Sequence, residues 1–304
     1  MAENAPPPLR VQRFAENPII RPFAEQRMGG NLNGPSLIRT PDWMTCALGR
    51  YHLYFAHHLG SYIRLAYADT LAGPWRIHAP GVLDIAQTPM LREHLASPDV
   101  HLDHERREIR MYFHGVSSPD PFLVPTQSTC VAHSFDGITF AARPQLLGPS
   151  YFRAWQWQGW WYALSLHGNL WRSPDGLEPF SPGPRPANLD PKTRHLAVMQ
   201  KGNHLWVAWS VVGDAPERLY LGIIDLTADW TTWAVSGIRD LLRPEHSYEG
   251  ADLPIMPSSQ GIRVEPVNEL RDPAFFVEDG VDYLIYSVAG ESGLAIARID
   301  NLGG

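Results

Sequence analysis

The chain has 304 residues, enough to bury a large core in one or two domains, and its formal net charge of -7 with scattered lysines and arginines argues against a nucleic-acid partner. Two cysteines, Cys46 and Cys130, give no disulfide framework, and no run approaches the length of a membrane span or the apolar stretch of a leader. With neither membrane nor nucleic acid as partner, the expected setting is cytoplasmic, unless an export signal has been trimmed.

In chain order, the proline-rich start predicts a flexible segment over residues 1–10, with a single domain over 11–304. Val11 to Phe14 alternates as a strand. Five hairpin-like units follow: Asn33 to Gly60, Ala96 to Gly115, Gly148 to Gly168, Arg194 to Gly213, and a last one opening at Arg271 and closing at Gly290. Each pairs two runs rich in aromatic and branched residues about a turn. Pro35, Pro98, Pro149 and Pro273 open four of them, and Leu196 takes that place in the fourth. A third strand and a turn signal such as Asp136-Gly137 or Asp175-Gly176 come after each hairpin. The units are spaced about 46 to 77 residues apart, the length of a four-stranded propeller blade plus loops. The expected fold is therefore all-β, a five-bladed β-propeller. Blade five runs out after Ile299, so the strand at Val11 is expected to complete it and close the ring.

In a propeller the starts of the first strands and the ends of the second strands surround one funnel. That places Asn33, Asp99, Tyr151, His195, Arg271 and Asp272 in one set, and His57, His58, His114, His167, Ser210 and Ser287 in the other. The long connection from Ser236 to Leu270 fits no blade. Its polar stretch His246 to Pro254 is expected to fold over the funnel and bring in Glu249 or Asp252.

The strand openings GPSLIR, SPDVHL and RDPAFF, the trailing YHLYFAHH and YLIYSVAG, and the turn from Asp69 to Trp75 resemble the five-bladed glycoside hydrolases. The resemblance is to family 43 arabinofuranosidases and xylosidases, with families 32, 117 and 130 as cousins. It implies a small carbohydrate substrate and a base, a pKa modulator and an acid on blades one to three. Asp99 matches the modulator, whereas Gly34 stands at the base position and Leu147 at that of the acid.

Glycoside hydrolysis asks for a proton donor and a base about the scissile bond. Asp99, Asp272 and Glu249 are the catalytic candidates, with Asn33, Arg271, His58 and Asp252 as substrate contacts. Histidines recur at matching places in the blades, so His57, His114, His167 and His195 are candidate ligands for a divalent metal ion at the funnel centre. His101 and His104, alternating with Asp103 and Glu105, read as a solvated turn. His52, His78, His94, His133, His204 and His246 form no constellation. Three functions fit: a glycoside hydrolase on a small glycan, a metal- and histidine-dependent lyase or hydrolase on a sugar acid, and a non-catalytic sugar-binding propeller.

Overall fold

The computed structural model describes residues 8–117 and 126–302. A first strand, β1 (Arg10–Arg13), precedes five antiparallel sheets. Blade one is β2 (Asn33–Arg39), β3 (Tyr51–Ala56), β4 (Tyr62–Ala68) and β5 (Arg76–Asp84). Blade two is β6 (Arg92–Asp103), β7 (Glu108–Val116) and β8 (Gln127–Ser134), edged by the short β9 (Ala141–Ala142) and β10 (Gly148–Pro149). Blade three is β11 (Arg153–Trp157), β12 (Trp160–Leu164), β13 (Leu170–Ser173) and β14 (Ser181–Pro182). Blade four is β15 (Thr193–Lys201), β16 (His204–Val211), β17 (Leu219–Asp225) and β18 (Ser236–Leu242). Blade five is β19 (Arg271–Glu278), β20 (Val281–Ser287) and β21 (Leu294–Asp300), with β1 as its fourth strand.

The ring thus closes through Arg10 opposite Asp300 and Val11 opposite Ile299, as the short last blade implies. Pairing removes the open edge that β21 would otherwise present. Of the expected flexible segment 1–10, residues 1–7 lie outside the described residues, and Arg10 already belongs to β1. Among the described residues no helix is long and apolar enough to cross a membrane.

Five apolar clusters fill the five blade interfaces. Leu37, Phe55, Ile285 and Ile296 join blades five and one, and Tyr54, Ile63, Met111 and Phe113 join one and two. Tyr112, Phe152 and Phe180 join two and three, Trp155, Leu164, Val207 and Trp209 join three and four, and Leu221, Leu284 and Ala297 join four and five. Inner strands buried on both faces therefore read as continuous apolar runs.

One local device repeats in every blade and shapes the funnel. Each first strand carries a bulge whose leading residue is left-handed: Gly34, Ser97, Tyr151, His195 and Asp272 all have φ between 46° and 68°. Ladder pairing skips over this residue and resumes two residues later, as in Arg271 opposite Ser287 and Ala274 opposite Ile285. In blade three the equivalent step runs from Ser150, which accepts from the Leu166 amide, to Arg153 opposite Leu164. The third blade therefore starts at Ser150 to Arg153, while Gly148-Pro149 pairs with β8 at the outer edge of blade two. The Gly148-Pro149 expected to open this blade lies three residues before its structural equivalent, Tyr151-Phe152, and the acid position assigned to Leu147 falls with it.

Candidate active site

The bulges turn the left-handed residues toward one cavity of about 320 Å³ on the propeller axis. Its walls include Asn33 and His58 from blade one, His94, Ser97 and His114 from blade two, and Ser150 and Tyr151 from blade three. Arg194 and His195 of blade four and Asp272 of blade five complete the ring, and Gln260 and Gly261 of the long connection stand at its edge. A non-glycine residue held left-handed costs on the order of 1 kcal/mol or more, and such strain gathers where a side chain must be aimed.

Asp272 is the single carboxylate among these lining residues. It accepts a hydrogen bond from the Tyr151 hydroxyl at 3.1 Å, and His195 Nε2 stands 3.8 Å from the same oxygen. Its other oxygen, Oδ2, is buried with no protein partner among the described residues. Burial raises its pKa from 3.8 to about 6, and the negative Glu291 adds to the rise against Arg271, Arg153 and the Tyr151 bond. Burial likewise drives the Tyr151 phenol well above 10, so it stays a neutral donor.

Three of the cavity imidazoles are biased toward the neutral form. Burial, then repulsion from His94 and His58, holds His114 well below 6.5, and burial with Arg194 and Arg271 does the same to His195. Burial also lowers His94. The rings form a chain, with His94 6.0 Å from His114, His114 6.2 Å from Tyr151, and Tyr151 5.5 Å from His195 between centroids. Nδ1 of both His114 and His195 is buried and has no partner among the described residues, nor does Asn33 Oδ1. Buried polar atoms without partners are costly, so several around one cavity mark a place for a polar ligand.

Arg153 of blade three bridges blades two and four. Its guanidinium donates to the Ser97 and Pro98 carbonyls of blade two and to Leu196 O of blade four, and packs 4.5 Å from the Tyr151 ring. Side chains two residues beyond the left-handed position thus tie neighbouring blades together. Ser36 Oγ accepts from the Val100 amide, and Asp99 Oδ2 accepts from the Ala154 amide.

Several sequence-based expectations are corrected by this geometry. Asp99 belongs to that inter-blade lock and not to the cavity lining, and it also bonds His101 Nε2 at 2.9 Å. Burial pushes its pKa up, but His101, Arg153 and the Ala154 amide outweigh burial and the net shift is down. His101 is therefore a buttress of Asp99 and not a free turn residue. Glu249 is fully buried away from the cavity, where it accepts from Arg13 Nε, the Tyr286 hydroxyl and the amides of Glu245 and His246. Asp252 is exposed and outside the lining. The stretch from His246 to Pro254 accordingly docks on blade five and its closing strand, and the connection reaches the funnel six residues later through Gln260.

Arg271 is 0% exposed and meets Glu269, Glu291 and Glu217, so it has no face for a substrate. His57 turns aside, its Nδ1 accepting from the Leu59 amide, and His167 Nδ1 is bonded to Thr193 O at 3.1 Å. Neither lines the cavity, and His94 takes the place expected of them. Among the described residues no three His, Cys, Asp or Glu side chains are arranged to hold a metal ion, so the expected set of His57, His114, His167 and His195 does not fit a divalent cation. Asn33, His58, His114, His195 and Asp272 do surround one volume.

The base position on blade one is closed by packing. A Cβ added to Gly34 would lie 2.6 Å from Ser97 Cα, at a φ of +55°. No carboxylate fits there. Tyr151 stood among the converging residues but drew no role from the sequence, because nothing local marks an aromatic as left-handed. The left-handed place it shares with Asp272 and His195 was the available signal.

Solved structures share the five-bladed propeller fold over nearly the whole chain. A glycosyl hydrolase from Bacteroides ovatus matches with a TM-score of 0.67 at 12% identity, over 95% of this chain and 93% of that one. A structure from the GH130 family of mannoside phosphorylases, described as containing hydrolases that target β-1,2 mannosidic linkages in Candida mannan, matches with a TM-score of 0.65 at 12% identity, over 95% and 93%. The GH43_1 enzyme from Xanthomonas citri, complexed with xylotriose, matches at 0.62 and 14%, over 92% and 90%. No sequence-family profile matches the chain. The uncharacterized protein R118 of Acanthamoeba polyphaga mimivirus is 37% identical over 325 aligned positions, spanning 96% of this chain and 90% of that protein. The chain belongs to the same family as R118.

Proposed function

We propose that the protein is a carbohydrate-active enzyme, a glycosidase that takes the end of a small glycan or glycoside into the axial cavity. The observation that carries this is Asp272: a buried carboxyl with a pKa near 6, one oxygen held by Tyr151 and the other unpartnered. A carboxyl kept partly protonated near neutrality is a proton donor for a leaving oxygen.

In the proposed reaction the Asp272 O–H gives its proton to the glycosidic oxygen as the bond from that oxygen to the anomeric carbon breaks. Water forms the new bond to that carbon. Its proton passes to His114, which is neutral, has Nδ1 unpartnered, and has no carboxylate within ion-pair distance among the described residues. Transfer of that proton through solvent restores the protonated carboxyl. His58 and Asn33 would hold sugar hydroxyls, and Tyr151 and His195 hold Asp272 in place. No step of this scheme requires a metal.

The lone carboxylate also favours a second reading, a sugar-binding propeller without turnover. Both are tested by assaying wild type and Asp272→Asn against 4-nitrophenyl glycosides and disaccharides, with binding followed by calorimetry. Turnover lost in the variant while sugar binding persists supports the glycosidase. Binding without turnover in both proteins supports the second reading.

A further inference from the structure

At the first position of the bulge, blades one to three carry Asn33, Ala96 and Ser150, all lining the cavity. Blades four and five carry arginines there, Arg194 and Arg271, which are 1% and 0% exposed. Arg194 forms a two-pronged pair with Glu217, and Arg271 meets Glu269 and Glu291. Buried charges of this kind need full compensation, which the three glutamates supply.

Each arginine also reaches the long connection through one nitrogen, which in Arg271 is shared with Glu291. Arg194 Nη1 donates to Ser259 O at 3.0 Å, and Arg271 Nη1 donates to Gly261 O at 3.1 Å. One residue upstream, the Ser258 amide donates to Asp214 O and Ser258 Oγ accepts from the Gly213 amide. One turn downstream, Arg263 is tied to Glu269 and its amide to Glu291. The backbone on both sides of Gln260 is therefore fastened to the buried charge cluster. Gln260 itself is exposed, lines the cavity edge, and has no side-chain hydrogen bond among the described residues. Fastened main chain with an idle amide is an unusual state for a solvated loop, because immobilising the loop has an entropic cost.

We propose that Gln260 is a substrate-contacting residue, presented at the cavity mouth by Arg194 and Arg271, whose amide hydrogen-bonds a hydroxyl on the leaving-group side of a bound glycoside. This rests on the glycosidase reading of the cavity. The sugar ring whose bond breaks must lie deep enough to reach Asp272, which is 1% exposed. The remainder of the substrate then projects through the mouth, where Gln260 stands. Arg194 and Arg271 are positioning residues, and the contact belongs to Gln260.

The test compares wild type with Gln260→Ala, a change at an exposed loop position. The probes are 4-nitrophenyl mannoside, xyloside, glucoside and arabinofuranoside beside disaccharides with the same terminal sugar; the nitrophenyl group lacks a leaving-group hydroxyl. The variant is expected to lose about fivefold more kcat/KM on the disaccharide than on its nitrophenyl partner, chiefly through KM, as one hydrogen bond implies. Equal losses on the two substrates, or none, overturn the proposal and leave the glycosidase reading standing. If wild type cleaves no probe yet binds a disaccharide, the glycosidase reading fails, and about fivefold weaker binding by Gln260→Ala still supports the contact. Neither cleavage nor binding by wild type overturns both.

Discussion

Replacing Asp272 by Asn should stabilise the fold while abolishing turnover, and the stabilisation should depend on pH. The folded protein holds this carboxyl near 6, against 3.8 for an ordinary aspartate, because burial and Glu291 disfavour its charge. The sign follows from linkage: a raised pKa means the folded state binds the proton more tightly, so stability is full below 3.8 and falls as pH rises through 6. Once the group is ionised in both states, the penalty is about 3 kcal/mol, and it amounts to about 1 kcal/mol at pH 4.5. The side chain is only 2% exposed, so solvent screening removes little of this. Asn keeps an oxygen for the Tyr151 hydroxyl and cannot ionise. Urea unfolding of both proteins at pH 4.5 and pH 8 should show the variant gaining about 2 kcal/mol over wild type between the two conditions. A difference that is flat with pH would refute the claim that Asp272 is held against ionisation, and with it the proton-donor role.

The pH–rate profile should fall as pH rises through about 6, where Asp272 loses its proton, and persist well below 6.5 on the acid side because His114 stays neutral there; kcat/KM between pH 4 and 8 checks both limbs. Arg271→Met should destabilise by about 3–5 kcal/mol, since it strands Glu269 and Glu291 inside the protein, as a chemical melt would report. Glu249→Gln should lower the melting temperature by weakening the Arg13 and Tyr286 contacts, with kcat/KM unchanged, because the residue is remote from the cavity. Exhaustive chelation should leave both turnover and melting temperature where they were; a loss restored by one divalent ion would show that a metal is held after all.

The ring of blades was legible because hairpins, turn residues and strand-opening prolines recur in order. Blade three was misread by three residues because Gly148-Pro149 imitates the opening signature while serving the edge of blade two. The true opening, Ser150-Tyr151-Phe152-Arg153, has no proline and no glycine to announce its left-handed turn. Strand-end logic brought Asp272, His58, His114, His195 and Asn33 to one cavity, since period-two alternation and shared register decide those positions. It failed for Arg271, as the expectation of a loop over the funnel failed for Glu249. Arg271 is held by Glu269 beside it but also by Glu291 and Glu217, and Glu249 by Arg13 from the other end of the chain, and no local pattern encodes those distant pairings. Asp99 carried the right letters but sits two residues past the bulge, where the side chain serves the neighbouring blade.

The closing strand has a consequence for how the protein is made. On the ribosome β1 emerges before every other strand of the propeller, and its partner β21 emerges after all of them. Asn17 and Ile20 wait as long, since they bond to Ile296 and Leu294. Blades one to four can assemble as they are synthesised, while Arg10 to Ile20 stay uncommitted until β21 has emerged. A chain that stops short of Leu294 therefore forfeits two strands of its final blade instead of one. It also leaves β20 as a bare edge able to recruit another polypeptide.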